Sequence, residues 1–375
     1  MLTNNTETGR RAAASAAFRP ARLYCTGFLL YSGLAAWVVS ALAGGKTAVA
    51  PFAACFLLGA VVPGGFNAFL LERYWRKGVL LRVLTAQMIV VFGLWPRLSP
   101  GGWGVWAAIC IMGYAFALQQ VTLASTLLND LVVSEQRTRV DMEYAWVCLG
   151  GAAAGAVLAS AVALTGLRGA ALCAGVPFAL AFLTALPLEV RLKAPVSVGL
   201  YSLDRYFRAD CLLSCGASAL SAVPFGFLLG RSADIWVACA LLSGVGAGFG
   251  LRRARCCAPR ARFGLFGSQL AVAAGLALLL FPDFCGADAR LLPAMRLAGG
   301  LLAACGASLA LLRTLGALLE ATAHCLRGTS QHTHFLGALA GAACGFLAAH
   351  FAPLAVVLLA AAGAVVGLLR GLFRR

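Results

Sequence analysis

The sequence predicts an all-α membrane protein with about twelve transmembrane helices, arranged as two six-helix bundles that repeat each other in parallel. Three observations lead to this prediction: the apolar composition, the distribution of the basic residues and an internal repeat. Of the 375 residues, 61% are hydrophobic and 11% are charged. Soluble domains have roughly 45–50% apolar and 25% charged residues, so this chain is too apolar to be a soluble globule.

Long apolar stretches without alternating polarity account for most of the chain. A stretch of 18 or more apolar residues is typical of a transmembrane helix, because about 20 residues at a rise of 1.5 Å cross the hydrocarbon core. We identify twelve such spans; because the turns between spans 5 and 6 and between spans 11 and 12 are very short, ten or eleven is the alternative count. The predicted spans are 23–43, 48–70, 78–96, 102–127, 142–165, 168–188, 209–230, 234–251, 263–281, 295–318, 332–350 and 353–370.

The basic residues predict the orientation of these spans. The first 22 residues are polar and basic, and the apolar run after them is longer than the apolar region of a signal peptide, so we interpret it as a retained span. An organelle transit peptide is the alternative for this start. With twelve spans, 23 of the 30 Lys and Arg residues fall on one side of the membrane and six on the other. Short loops rich in Lys and Arg are cytoplasmic, so we predict cytoplasmic tails at 1–22 and 371–375, in a bacterial inner membrane.

The same distribution explains the formal net charge of +17. Basic loops beside a membrane set the topology and attract anionic headgroups of the lipid bilayer. We therefore predict contact with the bilayer and no nucleic-acid binding.

An offset of 190 residues relates the segment 127–155 to the segment 317–345. Each copy has an acid at the end of one helix, an arginine seven residues later and two glycines four residues apart in the next helix. Parallel repeats of this kind build the two halves of many transporters. We predict an N-terminal bundle over 23–188, a cytoplasmic linker over 189–208 and a C-terminal bundle over 209–370. The matched pairs are Asp130 and Glu320, Arg137 and Arg327, Gly151 and Gly341, and Gly155 and Gly345.

The segment AFLLERYWRK between spans 2 and 3 resembles the cytoplasmic motif G-x-L-a-D-R-x-G-R-R of the major facilitator superfamily. The acid is Glu instead of Asp, the arginine and the basic pair are retained, and both glycines are replaced. Together with the twelve spans and the repeat, the resemblance extends over roughly residues 20–372 and implies a divergent, bacterial-type transporter of that superfamily. The residues at the motif positions are Ala68, Leu70, Glu72, Arg73, Trp75, Arg76 and Lys77.

The resemblance also implies a cytoplasmic gate. In that family, the loop acid and arginine tie helices 2 and 3 to neighbouring helices in the outward-open state. The alternative is a topology signal with side chains that only anchor the helix ends at the headgroups. The candidate gating residues are Glu72, Arg73, Arg76, Asp130, Arg137, Glu320 and Arg327.

Polar side chains inside the spans are the candidates for solute binding near the bilayer midplane, because such side chains are costly in a membrane. Hydrogen bonding between helices is the alternative role. Arg313 either reaches the cytoplasmic headgroups or faces a cavity, in which case it would indicate an anionic substrate. The candidates are Tyr31, Gln119, Gln120, Ser218, Gln269 and Arg313.

None of the thirteen acidic residues falls at the centre of a predicted span; Glu143 and Asp210, at span starts, are the nearest. Proton coupling through a buried carboxylate therefore has no support from the sequence.

The chain contains no P-loop, no metal-ligand spacing and no arrangement of nucleophile and base. We therefore predict no enzyme, no cofactor and no metal site. The predicted function is secondary or facilitative transport of a small-molecule solute by alternating access, carried out by a monomer. The alternative is a transport-inactive relative that acts as a sensor or assembly partner.

Overall fold

The described residues of the chain are all-helical. The computed structural model describes residues 4–43, 49–62, 76–99, 101–123, 137–164, 170–188, 209–255, 264–285, 290–321 and 327–373. These ranges contain twelve α-helices, which confirms the predicted fold class. The helices are α1 (Asn4–Ala43), α2 (Val49–Val61), α3 (Arg76–Met88), α4 (Trp103–Gln120), α5 (Arg137–Leu164), α6 (Ala170–Ala185), α7 (Ala209–Arg231), α8 (Ile235–Arg255), α9 (Gly264–Cys285), α10 (Leu292–Ala321), α11 (Arg327–Phe351) and α12 (Pro353–Phe373).

These helices make the chain an integral, multi-pass membrane protein. Eight helical segments of the described chain are long and apolar enough to cross a membrane, and three shorter apolar helices accompany them. Large apolar side chains lie on the outside, with Leu213 exposed by 72% and Leu358 by 70%. Such a surface would be a liability in water, but it suits contact with lipid.

Several helices begin earlier than predicted, and α5 and α1 show why. The sequence places span 5 at 142–165, whereas α5 starts at Arg137 and carries one more turn. That turn contains an ion pair between Arg139 and Glu143 four residues apart, at 2.9 Å, and the Tyr24 hydroxyl donates to Glu143 at 2.9 Å. Pairs at this spacing stabilise a helix. Helix α1 also extends back to Asn4, into the predicted tail.

Helix α3 changes geometry before it ends. It continues as a π-helix over Ile89–Leu94 and then as a single 3-10 turn over Trp95–Arg97. In this segment the ring of Phe92 lies directly over Gly175 of α6, where a Cβ would be 2.0 Å from Phe92 Cζ. The π-helix, which has a wider turn than an α-helix, thus lies where this segment packs closely on α6.

Glycines bring equivalent helices into direct backbone contact in the two halves. Helix α1 packs along α5, and α7 packs along α11. A Cβ on Gly155 would lie 2.1 Å from the carbonyl oxygen of Ser32, and one on Gly345 would lie 1.9 Å from that of Val223. Since Gly155 and Gly345 are partners in the sequence repeat, the same close contact occurs once in each half.

The other pairings repeat in the same way. Helix α2 packs on α4 as α8 packs on α10, and α3 packs on α6 as α9 packs on α12. The halves meet through α2 with α11 and through α5 with α8. Along α5, Trp146 makes an edge-to-face contact with Phe249 at 5.8 Å, and Ser160 donates to the carbonyl oxygen of Ser232. Helix α5 therefore touches the second half near both of its ends.

Candidate functional site: a central cavity between the halves

A cavity of about 280 Å³ lies between the two halves of the described structure. Helices α1, α2, α4 and α5 line it from the first half, and α7, α10 and α11 line it from the second. Most of its surface is apolar and aromatic, which is usual for small-molecule sites. The lining phenylalanines are Phe52, Phe56, Phe116, Phe225, Phe335 and Phe346.

Two of the predicted substrate-binding residues meet in the wall of this cavity. Gln120 of α4 donates through Nε2 to the hydroxyl oxygen of Tyr31 on α1, and both side chains line the cavity. The Tyr31 ring also packs edge-to-face on Phe116, with centroids 5.2 Å apart. The bond leaves the Gln120 carbonyl oxygen Oε1 and one amide hydrogen out of the pair.

Helix α5 contributes a polar stripe that the sequence analysis missed. Asp141, Tyr144 and Cys148 line the cavity, and their spacing of three and four residues places them on one helix face. Asp141 is 8% exposed and takes part in an interaction with the rest of the chain. The acid beside the site is therefore Asp141 and not Glu143, because α5 starts one turn before the predicted span.

Tyr144 carries a buried hydroxyl that makes no hydrogen bond to a nitrogen or oxygen atom in the part of the chain that the structure describes. The thiol of Cys148, one turn further along α5, lies within hydrogen-bonding reach of it. Tyr144 is 4% exposed. Its ring tip packs against α1 at Gly27, where a Cβ would lie 3.1 Å from Oη. Buried tyrosine hydroxyls usually find a partner, and here the group within reach is the thiol of Cys148, which bonds only weakly.

The second half contributes one polar contact to the cavity wall. His334 of α11 lines the cavity, and its Nδ1 lies 2.5 Å from the Oγ of Ser218 on α7. Ser218 is 1% exposed, so this predicted binding residue lies behind His334 and holds its ring. His334 is not among the binding residues that the sequence predicts.

Gln119 faces away from the cavity, although it is adjacent to Gln120. Its amide makes a reciprocal pair with Gln87 of α3, with N···O distances of 3.0 and 2.5 Å. Gln87 is 0% and Gln119 1% exposed. The geometry of Gln119 is that of a hydrogen bond between helices.

Gln269 and Arg313 lie outside the described lining of the cavity. Gln269 of α9 packs toward α12, where a Cβ on Gly363 would lie 3.4 Å from its Cδ. The Arg313 guanidinium lies over the first residue of α9, since a Cβ on Gly264 would be 2.5 Å from its Cζ. The condition under which Arg313 would indicate an anionic substrate is thus not met in this structure.

The candidate gating residues are only partly described. Glu72, Arg73 and Asp130 lie outside the described residues. Arg76 is 7% exposed at the start of α3 and has an interaction partner. The backbones of the remaining three belong to α5, α10 and α11, and the gating role of the whole set stays a prediction. These three are Arg137, Glu320 and Arg327.

A cluster of ion pairs connects helices of the second half at the turn where α7 ends and α8 begins. Arg296 pairs with Asp234 and, at 3.9 Å, with Asp283, which also pairs with Arg231. These side chains are 22–32% exposed. The two arginines are among the six basic residues that the sequence places on the less basic side of the membrane. The cluster holds the turn that carries Ser232, the acceptor of the bond from Ser160.

Comparison with solved structures finds transporters of the major facilitator superfamily. A point mutant of the nucleoside transporter NupG superposes with a TM-score of 0.62 at 14% identity. A bacterial homologue of the iron transporter ferroportin, in its outward-facing state, superposes with TM-scores of 0.58 with soaked iron and 0.55 in a second structure, both at 15% identity. Each comparison covers 94% of this chain and 98% of the other chain.

These likenesses confirm that the chain has the fold of major facilitator superfamily transporters. At the level of sequence, no protein-family model and no curated protein matches the chain.

Proposed function

We propose that this protein transports a small solute across the membrane by alternating access, with the central cavity as the solute site. The observation that carries the proposal is the cavity of about 280 Å³ that both halves line. Carriers built from parallel repeats bind their solutes at such an interface. The fold, shared with a nucleoside transporter and an iron transporter homologue, supports the same class of function.

The cavity also favours transport over the alternative of an inactive sensor or assembly partner. A scaffold gains stability when apolar side chains fill its interior, since empty space in a core is destabilising. Here the space persists, and hydrogen-bonding groups of Tyr31, Gln120 and His334 line it. We place the solute contacts on these three residues together with Tyr144 and Cys148.

Access to Cys148 tests the proposal. In a variant that keeps Cys148 as its single cysteine, we expect a membrane-impermeant methanethiosulfonate to react from either side of oriented vesicles, because alternating access exposes the cavity to each side in turn. The matched control keeps only Cys305, which is buried on α10 outside the described lining. Both thiols are buried in this structure, but Cys305 does not line the cavity that alternating access opens. We therefore expect Cys305 to react at least about tenfold more slowly.

Labelling is measured by mass spectrometry of the intact protein. Failure of Cys148 to react from both sides would contradict transport through this cavity and would favour the scaffold function.

We further propose cytoplasmic termini, a bacterial inner membrane and a monomeric carrier with bundles at 23–188 and 209–370. The bond from Arg22 to the carbonyl oxygen of Pro187, at 3.3 Å, supports the topology. It places the start of the first span beside the end of α6, and both positions lie on the predicted cytoplasmic side.

We propose that the charged helix ends on that side form a gate. The buried position of Arg76 supports this role. If Glu72 and Arg73 hold the outward-open state, Arg73→Ala should raise the rate of Cys148 labelling from the cytoplasm by about tenfold, since 1.4 kcal/mol shifts a two-state equilibrium tenfold. The control is Arg97→Ala, an exposed arginine at the end of the 3-10 turn that follows α3 and its π-helix. Unchanged labelling and transport in Arg73→Ala would refute the gate.

A further inference from the structure

The cavity differs from an ordinary apolar pocket in where its polar groups lie. On the first half, Tyr31 and Gln120 form one hydrogen bond, and Tyr144 and Cys148 lie on the adjoining face of α5. On the second half, His334 is held by Ser218. The rest of the described wall is mainly aliphatic and aromatic. A solute that fits both walls has an apolar body and one polar edge that faces α1, α4 and α5.

The charges of the described lining argue against an ionic solute. The lining includes no Lys or Arg among the described residues, so an anion would enter the low-dielectric space without a counter-charge there. The acid in the lining is Asp141, and it already takes part in an interaction within the chain. An uncharged solute therefore meets this wall without an unpaired buried charge.

Gln120 determines the kind of polar edge. One hydrogen of its amide goes to Tyr31, and the carbonyl oxygen and the second hydrogen stay outside that bond. A glutamine amide can read an adjacent donor and acceptor with two hydrogen bonds, as it does with the edge of adenine. Tyr144 adds a hydroxyl whose neighbour in the described chain is the weakly bonding thiol of Cys148, so a stronger acceptor or donor on the solute can replace that contact.

We infer that the cavity takes an uncharged ring compound with an amide-type edge, a carbonyl or ring nitrogen beside an N–H group. Its ring lies among the phenylalanines, and its edge pairs with the amide of Gln120 and the hydroxyl of Tyr144. This inference rests on the proposed function, since it assigns a solute class to the same site.

Three compounds with one ring system test the class: 2-naphthamide, 2-naphthoate and 2-naphthylmethylammonium. Their binding to the purified full-length protein in detergent is measured by calorimetry. We expect the amide to bind and both ions to bind at least about tenfold more weakly, the effect of one lost hydrogen bond or more. A charged analogue that binds as tightly as the amide would overturn the inference.

Two variants test the residues. Gln120→Met should weaken naphthamide binding by about tenfold or more, and Tyr144→Phe by about tenfold. Because the Tyr144 hydroxyl has only the weakly bonding thiol of Cys148 beside it, Tyr144→Phe should change the melting temperature of the free protein little. Loss of a strong structural hydrogen bond would lower it. The matched control is the double variant Gln87→Leu with Gln119→Leu, which alters amides that face each other and should leave binding unchanged.

Wild-type affinity in Gln120→Met would overturn the inference. So would binding of none of the three compounds to a protein whose Cys148 reacts from both sides of the membrane. If Cys148 does not react from both sides, the proposed function itself fails. The labelling experiment thus distinguishes failure of the proposed function from failure of the solute assignment.

Discussion

Gly345→Leu is expected to prevent stable packing of the second half. A Cβ at this position would lie 1.9 Å from the carbonyl oxygen of Val223 and 2.8 Å from the amide nitrogen of Phe227. Both atoms belong to the backbone of α7, so no side-chain rotation can relieve the overlap. Overpacking that side chains can absorb costs about 1–3 kcal/mol. With backbone on both sides, we expect a loss at or beyond the upper end of that range.

The measurement is the yield and melting temperature of the variant after detergent extraction. Gly216→Leu is the matched control, because it makes the same change on α7 at a position with nothing within 4 Å of its Cβ. The control should behave as the wild type. If Gly345→Leu were equally well folded, α7 and α11 could not be in backbone contact.

Gln119→Leu is expected to lower the free energy of unfolding by roughly 1–3 kcal/mol. The substitution removes both hydrogen bonds of the reciprocal pair and leaves the Gln87 amide buried without that partner. An unsatisfied buried polar group costs about that amount, although hydrogen bonds between membrane helices average less than about 1 kcal/mol in cycles of variants. Unfolding in detergent mixtures with increasing dodecyl sulfate measures the change.

The double variant Gln87→Leu with Gln119→Leu distinguishes the cause. Replacing both amides by apolar side chains of similar size removes the unsatisfied group, so stability should return to near that of the wild type. If the two single losses simply add in the double variant, the amides do not form the pair that the structure shows.

The number and order of helices follow from the sequence because hydropathy and the spacing of apolar runs depend only on local composition. The residues at which the helices begin and end do not follow from the sequence in this way. The segment Arg137–Glu143 is charged, and a prediction that relies on hydropathy assigns it to a loop. The pair of Arg139 with Glu143 and the contact with Tyr24 extend the helix through it. That turn carries Asp141 to the cavity, which is why the sequence analysis missed an acid at the site.

The site was harder to predict than the fold because the rotation of each helix about its axis is set by its neighbours. Gln119 and Gln120 are adjacent and chemically identical, yet one faces α3 and the other the cavity. The substrate-binding roles of Tyr31 and Gln120 remain predictions, although both line the cavity. Asp141, Tyr144 and Cys148 are spaced three and four residues apart. If the predicted helix had begun at Arg137, this spacing would have identified the face of α5 that lines the cavity.

The glycine contacts described above have a consequence for movement. Where Gly155 meets Ser32 and Gly345 meets Val223, one backbone rests directly on another. Such a contact has no side chain that could change rotamer, so each pair of helices is expected to move as one body. The surfaces where α2 meets α11 and α5 meets α8 include side chains such as Trp146 and Phe249, which can slide and repack. We therefore expect this chain to be most flexible at the interface between its two halves, while each bundle moves as a rigid body.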